Sequence, residues 1–170
     1  MNNSRKKTII RRFTRDWVQG YVSASAFVHQ GKIELLDLSG KVLLLPNEEV
    51  KWICFVRDFN SGEYDNPERL LRKTFAGRPR SEGVWLRMRL RDGDAIEGLA
   101  ENNIGLVDAD GIFITPPDTR GNTQRIWLPR SSLTELEVVA VVGSAARKKP
   151  AAREKDDVVQ QEKLFPYVRN

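Results

Sequence analysis

Four aspartates crowd one stretch of this 170-residue chain: Asp92, Asp94, Asp108 and Asp110. Clustered carboxylates can hold a divalent cation or divide acid–base work between them. These four stand at Gly-containing turn sequences, where aspartate is placed for backbone reasons, so turn chemistry is the expected role. The single cysteine, Cys54, lies in the apolar run Trp52-Ile53-Cys54-Phe55-Val56. That is the setting of a buried, inert thiol rather than a nucleophile. One cysteine also excludes an internal disulfide or a Cys-rich zinc site. The single histidine, His29, precedes Gln30-Gly31 and has no second His or Cys to complete a transition-metal site. Gly-x-Ser-x-Gly, a phosphate-cradling Gly-rich loop and His-Glu-x-x-His are all missing. Neither an enzymatic activity nor a cofactor is expected.

What remains is binding chemistry. Arg57, Asp58 and Phe59 stand at one chain corner, and Thr119, Arg120, Asn122 and Arg125 follow Pro116-Pro117 in a polar loop. Such polar richness exceeds what a β-fold needs in its connections. The leading expectation is a non-catalytic binding or adaptor module, with a protein partner or a second copy as ligand. The alternative is RNA. The formal net charge is +5, and Arg5, Lys6, Lys7, Arg11, Arg12 and Arg15 form a basic N-terminal arm without an acidic residue. Arg87, Arg89 and Arg91 share one face of an alternating strand. A nucleic-acid ligand held by these groups would show steep salt dependence, although few exposed aromatics interleave them for base stacking.

The elements that must position these residues come in two similar sets. Asp16-Trp17-Val18-Gln19-Gly20-Tyr21-Val22 corresponds to Asp94-Ala95-Ile96-Glu97-Gly98-Leu99-Ala100, at an offset of 78 residues. Leu45-Pro46-Asn47-Glu48-Glu49-Val50 corresponds to Leu128-Pro129-Arg130-Ser131-Ser132-Leu133, at an offset of 83. A fixed internal period signals two copies of one supersecondary unit. Each copy reads as short strands punctuated by turns: 8–13, 17–22, 32–37, 41–45 and 50–56 in the first, with one helical turn over 46–49. The second copy gives 84–91, 95–100, 104–107, 112–115, 124–128 and 133–142. Asp92-Gly93 and Asp110-Gly111 are hairpin signals.

The expected organisation is mainly β. A basic arm and first small five-stranded barrel occupy residues 1–56, and a linker with a short helix 57–82. A second barrel spans 83–142, followed by a disordered tail over 143–170. The helix is expected from Asn66-Pro67-Glu68, with a capping residue before proline. The tail ends in an apolar segment, Leu164 to Val168, able to dock elsewhere. No apolar run is long enough to cross a bilayer as a helix, and the N-terminus lacks an apolar signal region. A cytoplasmic protein is expected.

Three resemblances bear on this reading. Leu90-Arg91-Asp92-Gly93-Asp94-Ala95-Ile96-Glu97-Gly98 is similar to the strand, Asp-Gly turn and Gly-ended strand that open Sm-like small β-barrels, and Arg12 to Gly20 resembles it more distantly. The resemblance implies barrel geometry. It does not imply that family's RNA recognition, since the base-contacting Asp and Asn have no counterpart. Arg11 and Arg15, with Asp37-Leu38-Ser39, resemble the Arg-x-x-x-Arg and Asp-x-Ser elements by which PilZ domains bind cyclic-di-GMP. Here Gly40 follows Ser39 directly and position 42 is Val, so cyclic-di-GMP is a further alternative with a degenerate site. Finally, residues 8–142 resemble an uncharacterised bacterial family of domains of unknown function. Phe55 to Asn60, Asn66 to Leu71 and Pro116 to Arg120 carry that resemblance, which implies no mechanism.

Overall fold

The structure, a computed structural model, describes residues 4–60 and 62–143. The expected tail beyond Gly143, including Leu164 to Val168, lies outside them. Eleven strands account for most of the described chain: β1 (Arg5–Arg12), β2 (Trp17–Ser23), β3 (Val28–His29), β4 (Lys32–Asp37), β5 (Val42–Pro46), β6 (Val50–Val56), β7 (Gly83–Leu90), β8 (Ala95–Ala100), β9 (Gly111–Ile114), β10 (Thr123–Pro129) and β11 (Leu133–Val142). One-turn 3₁₀ helices cover Asn47–Glu49, Ile104–Val107 and Arg130–Ser132. The mainly β expectation holds, and no described helix is long and apolar enough to cross a membrane.

The two halves match in hydrogen-bond register. In β6 on β1, Val50 pairs with Arg12, Trp52 with Arg11 and Ile53 with Ile10, and a bulge skips Lys51. In β11 on β7, Leu133 pairs with Leu90, Glu135 with Arg89 and Leu136 with Met88, and a bulge skips Thr134. The β4–β5 and β9–β10 ladders also coincide, Ile33 facing Leu45 as Ile112 faces Leu128. Even the hairpin turns agree, since Arg15 (φ 70°) occupies the left-handed position filled by Gly93 (φ 83°) in the second half.

Hydrogen bonding among the described residues does not close either of the two expected barrels. The sheets are open, in the order β3-β4-β2-β1-β6-β10-β9, with β5 on β4, and β11-β7-β8. The edge of β6 that would close the first half is occupied by β10 of the second. A bridge between Leu99 and Thr115 joins the two sheets. The pairing follows from the pattern of β6, which is apolar on both faces. Trp52, Cys54 and Val56 pack with Leu86, Met88, Ile112 and Leu128 in one core. Val50 and Ile53 pack with Ile10, Ile33 and Leu45 in the other, where Trp127 of β10 joins them. A strand with no polar face must be covered on both sides.

Three local expectations are corrected. The described residues of the linker include no helix. Asn66–Arg69 makes one turn, closed by Arg69 N–H on the Asn66 carbonyl at 2.9 Å, and Arg69 sits at φ 50°, which ends any helical run. The rest of this strap is irregular and fastened by long-range contacts. Ile104–Val107 is a 3₁₀ turn rather than a strand, because Asn103 Oδ1 accepts the Gly105 amide at 2.9 Å and caps it. The basic arm is not free from Arg5 onward, where β1 already pairs with β2. The two-residue strand β3, which contains exposed His29, was not legible in the sequence.

Gly20 and Gly98 show why each half needs glycine at the matched site on its second strand. A Cβ on Gly98 would lie 2.6 Å from Ile114 Cδ1 and 2.7 Å from Ile114 Cβ, while one on Gly20 would meet the Leu36 carbonyl. The strand therefore lies directly against its neighbour. Gly98→Ala should destabilise the fold by about 1–3 kcal/mol through overpacking, read as a lower urea midpoint. An unchanged midpoint would mean the approach is looser than described.

Candidate functional site

The strap, residues 57–82, decides where functional side chains lie. Glu68, 2% exposed, receives two hydrogen bonds from Arg11, Nε to Oε1 at 2.9 Å and Nη2 to Oε2 at 2.6 Å. Its carbonyl accepts the buried Thr123 hydroxyl at 2.6 Å. Farther along, Lys73 Nζ meets Asp94 at 2.6 Å, and Lys51, the residue skipped by the β6 bulge, reaches Asp92 at 2.6 Å and Asp94 at 3.0 Å. Both ammonium groups also lie over the Trp52 ring, at 4.7 Å for Lys51 and 5.6 Å for Lys73. The carboxylate of Glu97 accepts Phe75 N–H, Trp85 Nε1–H and Arg87 Nε–H at 2.9–3.1 Å.

These contacts explain the acidic cluster. Asp92 and Asp94 cap the hairpin and bind lysines. Asp108 receives the Asp110 amide at 3.0 Å. Among the described residues no group of three or more His, Cys, Asp or Glu is arranged to hold a metal. Burial, with the nearby Glu68 charge, pushes the Cys54 thiol well up, which keeps it protonated.

The strap also builds the site. Where it leaves β6 it runs beside the loop before β10, and between them lies an open cleft of about 360 Å³. Asn122 pins the two walls. Its Nδ2 donates to the carbonyls of Asp58 and Pro67, both at 2.9 Å, and its Oδ1 accepts the Asp58 amide at 3.1 Å. The Asn122 carbonyl accepts Arg57 N–H at 2.9 Å. The Arg57 Nη2 donates to the Thr119 carbonyl at 3.1 Å. Arg57, Arg69 and Arg120 line the cleft, and exposed Leu71 adds an apolar patch. The carboxylates present are largely engaged. Asp58 accepts Phe59 N–H at 2.8 Å and lies 3.8 Å from Lys7, and Asp118 accepts Arg120 N–H at 3.1 Å. Arg69 Nε is 3.6 Å from Glu63. The Arg120 guanidinium has no partner among the described residues. The cleft is thus a fixed, cation-rich concavity suited to carboxylates or other planar anions.

Of the residues singled out from sequence, Arg57, Asp58, Arg120 and Asn122 meet in this cleft, and Thr119 adjoins it through its carbonyl. Phe59 and Arg125 lie elsewhere. The Phe59 ring packs edge-on against Tyr21, with centroids 5.4 Å apart. Arg125 stacks over Phe113 and pairs with Glu101 at 3.2 Å. Arg69 and Asp118 were missed. Arg69 carried no sequence signal, because its place depends on the turn that replaces the expected helix.

A family of unknown function, DUF6982, matches residues 4–140. The chain belongs to that family. No curated protein matches it. The DUF6982 span includes both halves, the strap and both cleft walls.

The arginines of the nucleic-acid alternative are mostly paired. Arg87 pairs with Glu97 and Glu137, and Arg89 with Glu135. Arg91 stacks on Phe13 and donates to the Glu48 carbonyl. Arg12 pairs with Asp16. Arg11 reaches the Arg15 carbonyl at 3.3 Å, but its fork is held by Glu68. Asp37, the other half of the cyclic-di-GMP pattern, accepts from Ser39 and Lys41 within its own turn. Arg5 and Lys6 remain exposed, and Lys7 is shared with Asp58 and Phe59.

Two predictions follow from this network. Asn122→Ala should cost about 1–3 kcal/mol by leaving its backbone partners unpaired, checked by chemical unfolding. Acid should also destabilise the fold. Burial works to raise Asp94 and Glu97, but Lys73 and Lys51 outweigh it at Asp94, and the Phe75 amide, Arg87 and Trp85 at Glu97, so both fall below their ordinary values. A carboxylate with a depressed folded pKa stabilises above its unfolded value of about 4 and loses that contribution as pH falls through the folded one. The urea midpoint should be level from neutral pH to about 5 and drop below about 4. Asp94→Asn should lower the plateau and reduce the drop.

Proposed function

We propose that this protein is a non-catalytic binding module that grips an acidic segment of a partner protein in the Arg57–Arg69–Arg120 cleft. The observation that carries the reading is the unpartnered Arg120 guanidinium, set beside Arg57 on walls pinned by Asn122. Arg57, held on the Thr119 carbonyl, is preorganised for a carboxylate, Arg120 leaves its whole fork free for a second, and Leu71 offers an apolar neighbour for the same segment. We read the two halves as a tandem of one Sm-like β-unit, on the strength of their matched registers. In this reading the tandem is the rigid mount and the strap is the recognition element. The pairing of Arg87 and Arg89 with glutamates favours a protein over RNA as the ligand.

The test is affinity capture with the full-length protein, comparing wild type with Arg57→Ala/Arg120→Ala. Both side chains are exposed, so the melting temperature should be unchanged. The captured partner should bind the double variant about tenfold more weakly or worse, and more weakly as salt rises. Equal capture by both proteins, or salt-sensitive binding of mixed short RNA that survives the two substitutions, would overturn the proposal.

A further inference from the structure

A hollow of about 510 Å³ lies between β2 and the strap. Trp17 and Gln19 of β2 line it together with Phe59, Tyr64 and Pro67 of the strap. Trp17 and Phe59 are backed by the core, and Tyr21 holds the Phe59 ring edge-on, so these two rings are fixed. Tyr64 is different. It packs into neither core and is 94% exposed. The strap does not need that ring to hold its course, because Arg11, Asn122 and Thr123 already fasten it. Rings gathered in this way take other rings edge to face and grip proline-containing segments. The rim is acidic. Glu63 lines the hollow and Asp65 follows Tyr64, both exposed. Glu63 has only a 3.6 Å contact with Arg69. Lys7, 5.7 Å from the centre of the Phe59 ring, is offset by Asp58 at 3.8 Å.

The chain carries a segment of matching chemistry outside the described residues. Leu164-Phe165-Pro166-Tyr167-Val168 is the longest apolar run beyond Gly143, and Phe165 and Tyr167 are the sole aromatic residues after Trp127. Lys163 and Arg169 bracket the run. A proline fixes its own φ and holds the preceding residue extended, so such a run loses little freedom on docking. An apolar, aromatic run between two cations thus complements an aromatic hollow rimmed by carboxylates.

We infer that Leu164 to Val168 docks in this hollow of its own molecule, with Phe165 and Tyr167 on the Trp17, Phe59 and Tyr64 rings and with Lys163 and Arg169 toward Glu63 and Asp65. Reach is no obstacle. Twenty residues separate Gly143 from Leu164. A chain of that length extends to about 70 Å, whereas a domain of this size has a radius of gyration of about 14 Å. Tethering also supplies the affinity that the run alone lacks, because a linker of this kind raises the local concentration to about millimolar. The hollow borders the arginine cleft, as Asn60 lines both. It uses none of the cleft's arginines, so the docking stands whether or not that cleft binds an acidic segment.

Limited trypsin digestion of the full-length protein, read by mass spectrometry, tests this. Lys155 lies well before the docked run and Lys163 at its edge, so the cut after Lys155 is the internal reference. Relative to that reference, the cut after Lys163 should be about tenfold slower in wild type than in Tyr64→Ser, because cleavage follows the undocked population. Tyr64→Ser should leave the melting temperature unchanged, since the ring is exposed; if it does not, Glu63→Lys replaces it. Nuclear Overhauser contacts from the Phe165 or Tyr167 ring to Trp17 should accompany the protection in labelled wild type. Arg57→Ala/Arg120→Ala should keep the protection in full. Equal relative rates in wild type and Tyr64→Ser would overturn the inference. So would protection that grows with protein concentration, which would seat the run on a second copy, or protection lost in Arg57→Ala/Arg120→Ala, which would move it into the arginine cleft.

Discussion

Strand β6 has neither a free edge nor a free face, and the rest of the molecule is arranged around that constraint. Its two edges are hydrogen-bonded to β1 and β10, and its side chains alternate between two cores. Covering an apolar strand on both sides requires two layers, and the chain supplies the second layer from its own second half. The bulge at Lys51 rotates the strand so that Val50 and Trp52 face opposite ways, and turns the skipped lysine toward Asp92 and Asp94. One extra residue thus sets both the strand's orientation and an ion-pair link to the neighbouring hairpin.

The cleft depends on the same arrangement at one remove. Its walls come from the segment leaving β6 and the loop entering β10, two strands held side by side by their ladder. Because β6 and β10 start from a fixed separation, Asn122 can span the gap with three hydrogen bonds. The Arg11–Glu68 pair then fixes the strap against β1. Replacing either partner alone would leave a charge with little access to water, the costly case for buried pairs. The site's rigidity thus comes from the sheet and the buried pair, not from the loop's own sequence.

Much of this was legible in the sequence, for identifiable reasons. Strict alternation from Val84 to Arg91 fixed β7 and its charged face, and the internal correspondence located most of the paired strands. The run Val50 to Val56 lacked alternation, which is the signature of burial on both faces, yet periodicity gives faces and not neighbours. Nothing local in β6 or β10 says that they pair, so the ladder joining the two units could not be read from the sequence. The helix failed for a different reason. Asn66-Pro67 is a sound helix start, but Arg69 adopts a left-handed backbone and Glu68 is drawn to Arg11, so tertiary contacts outweigh a weak local preference. For the same reason Arg69 could not be assigned to the cleft, while Arg57, Asp58, Arg120 and Asn122 could.

Trp127 belongs to a strand of the second half but is buried in the core of the first, beside Ile53 and Phe27. Each half therefore withholds a part that the other needs to finish its interior. A molecule nicked within the strap would become two fragments that are each incomplete as folding units, yet each carries the missing piece of the other. Whatever recognition remained between them would be encoded in the β6–β10 ladder and the seat of that indole.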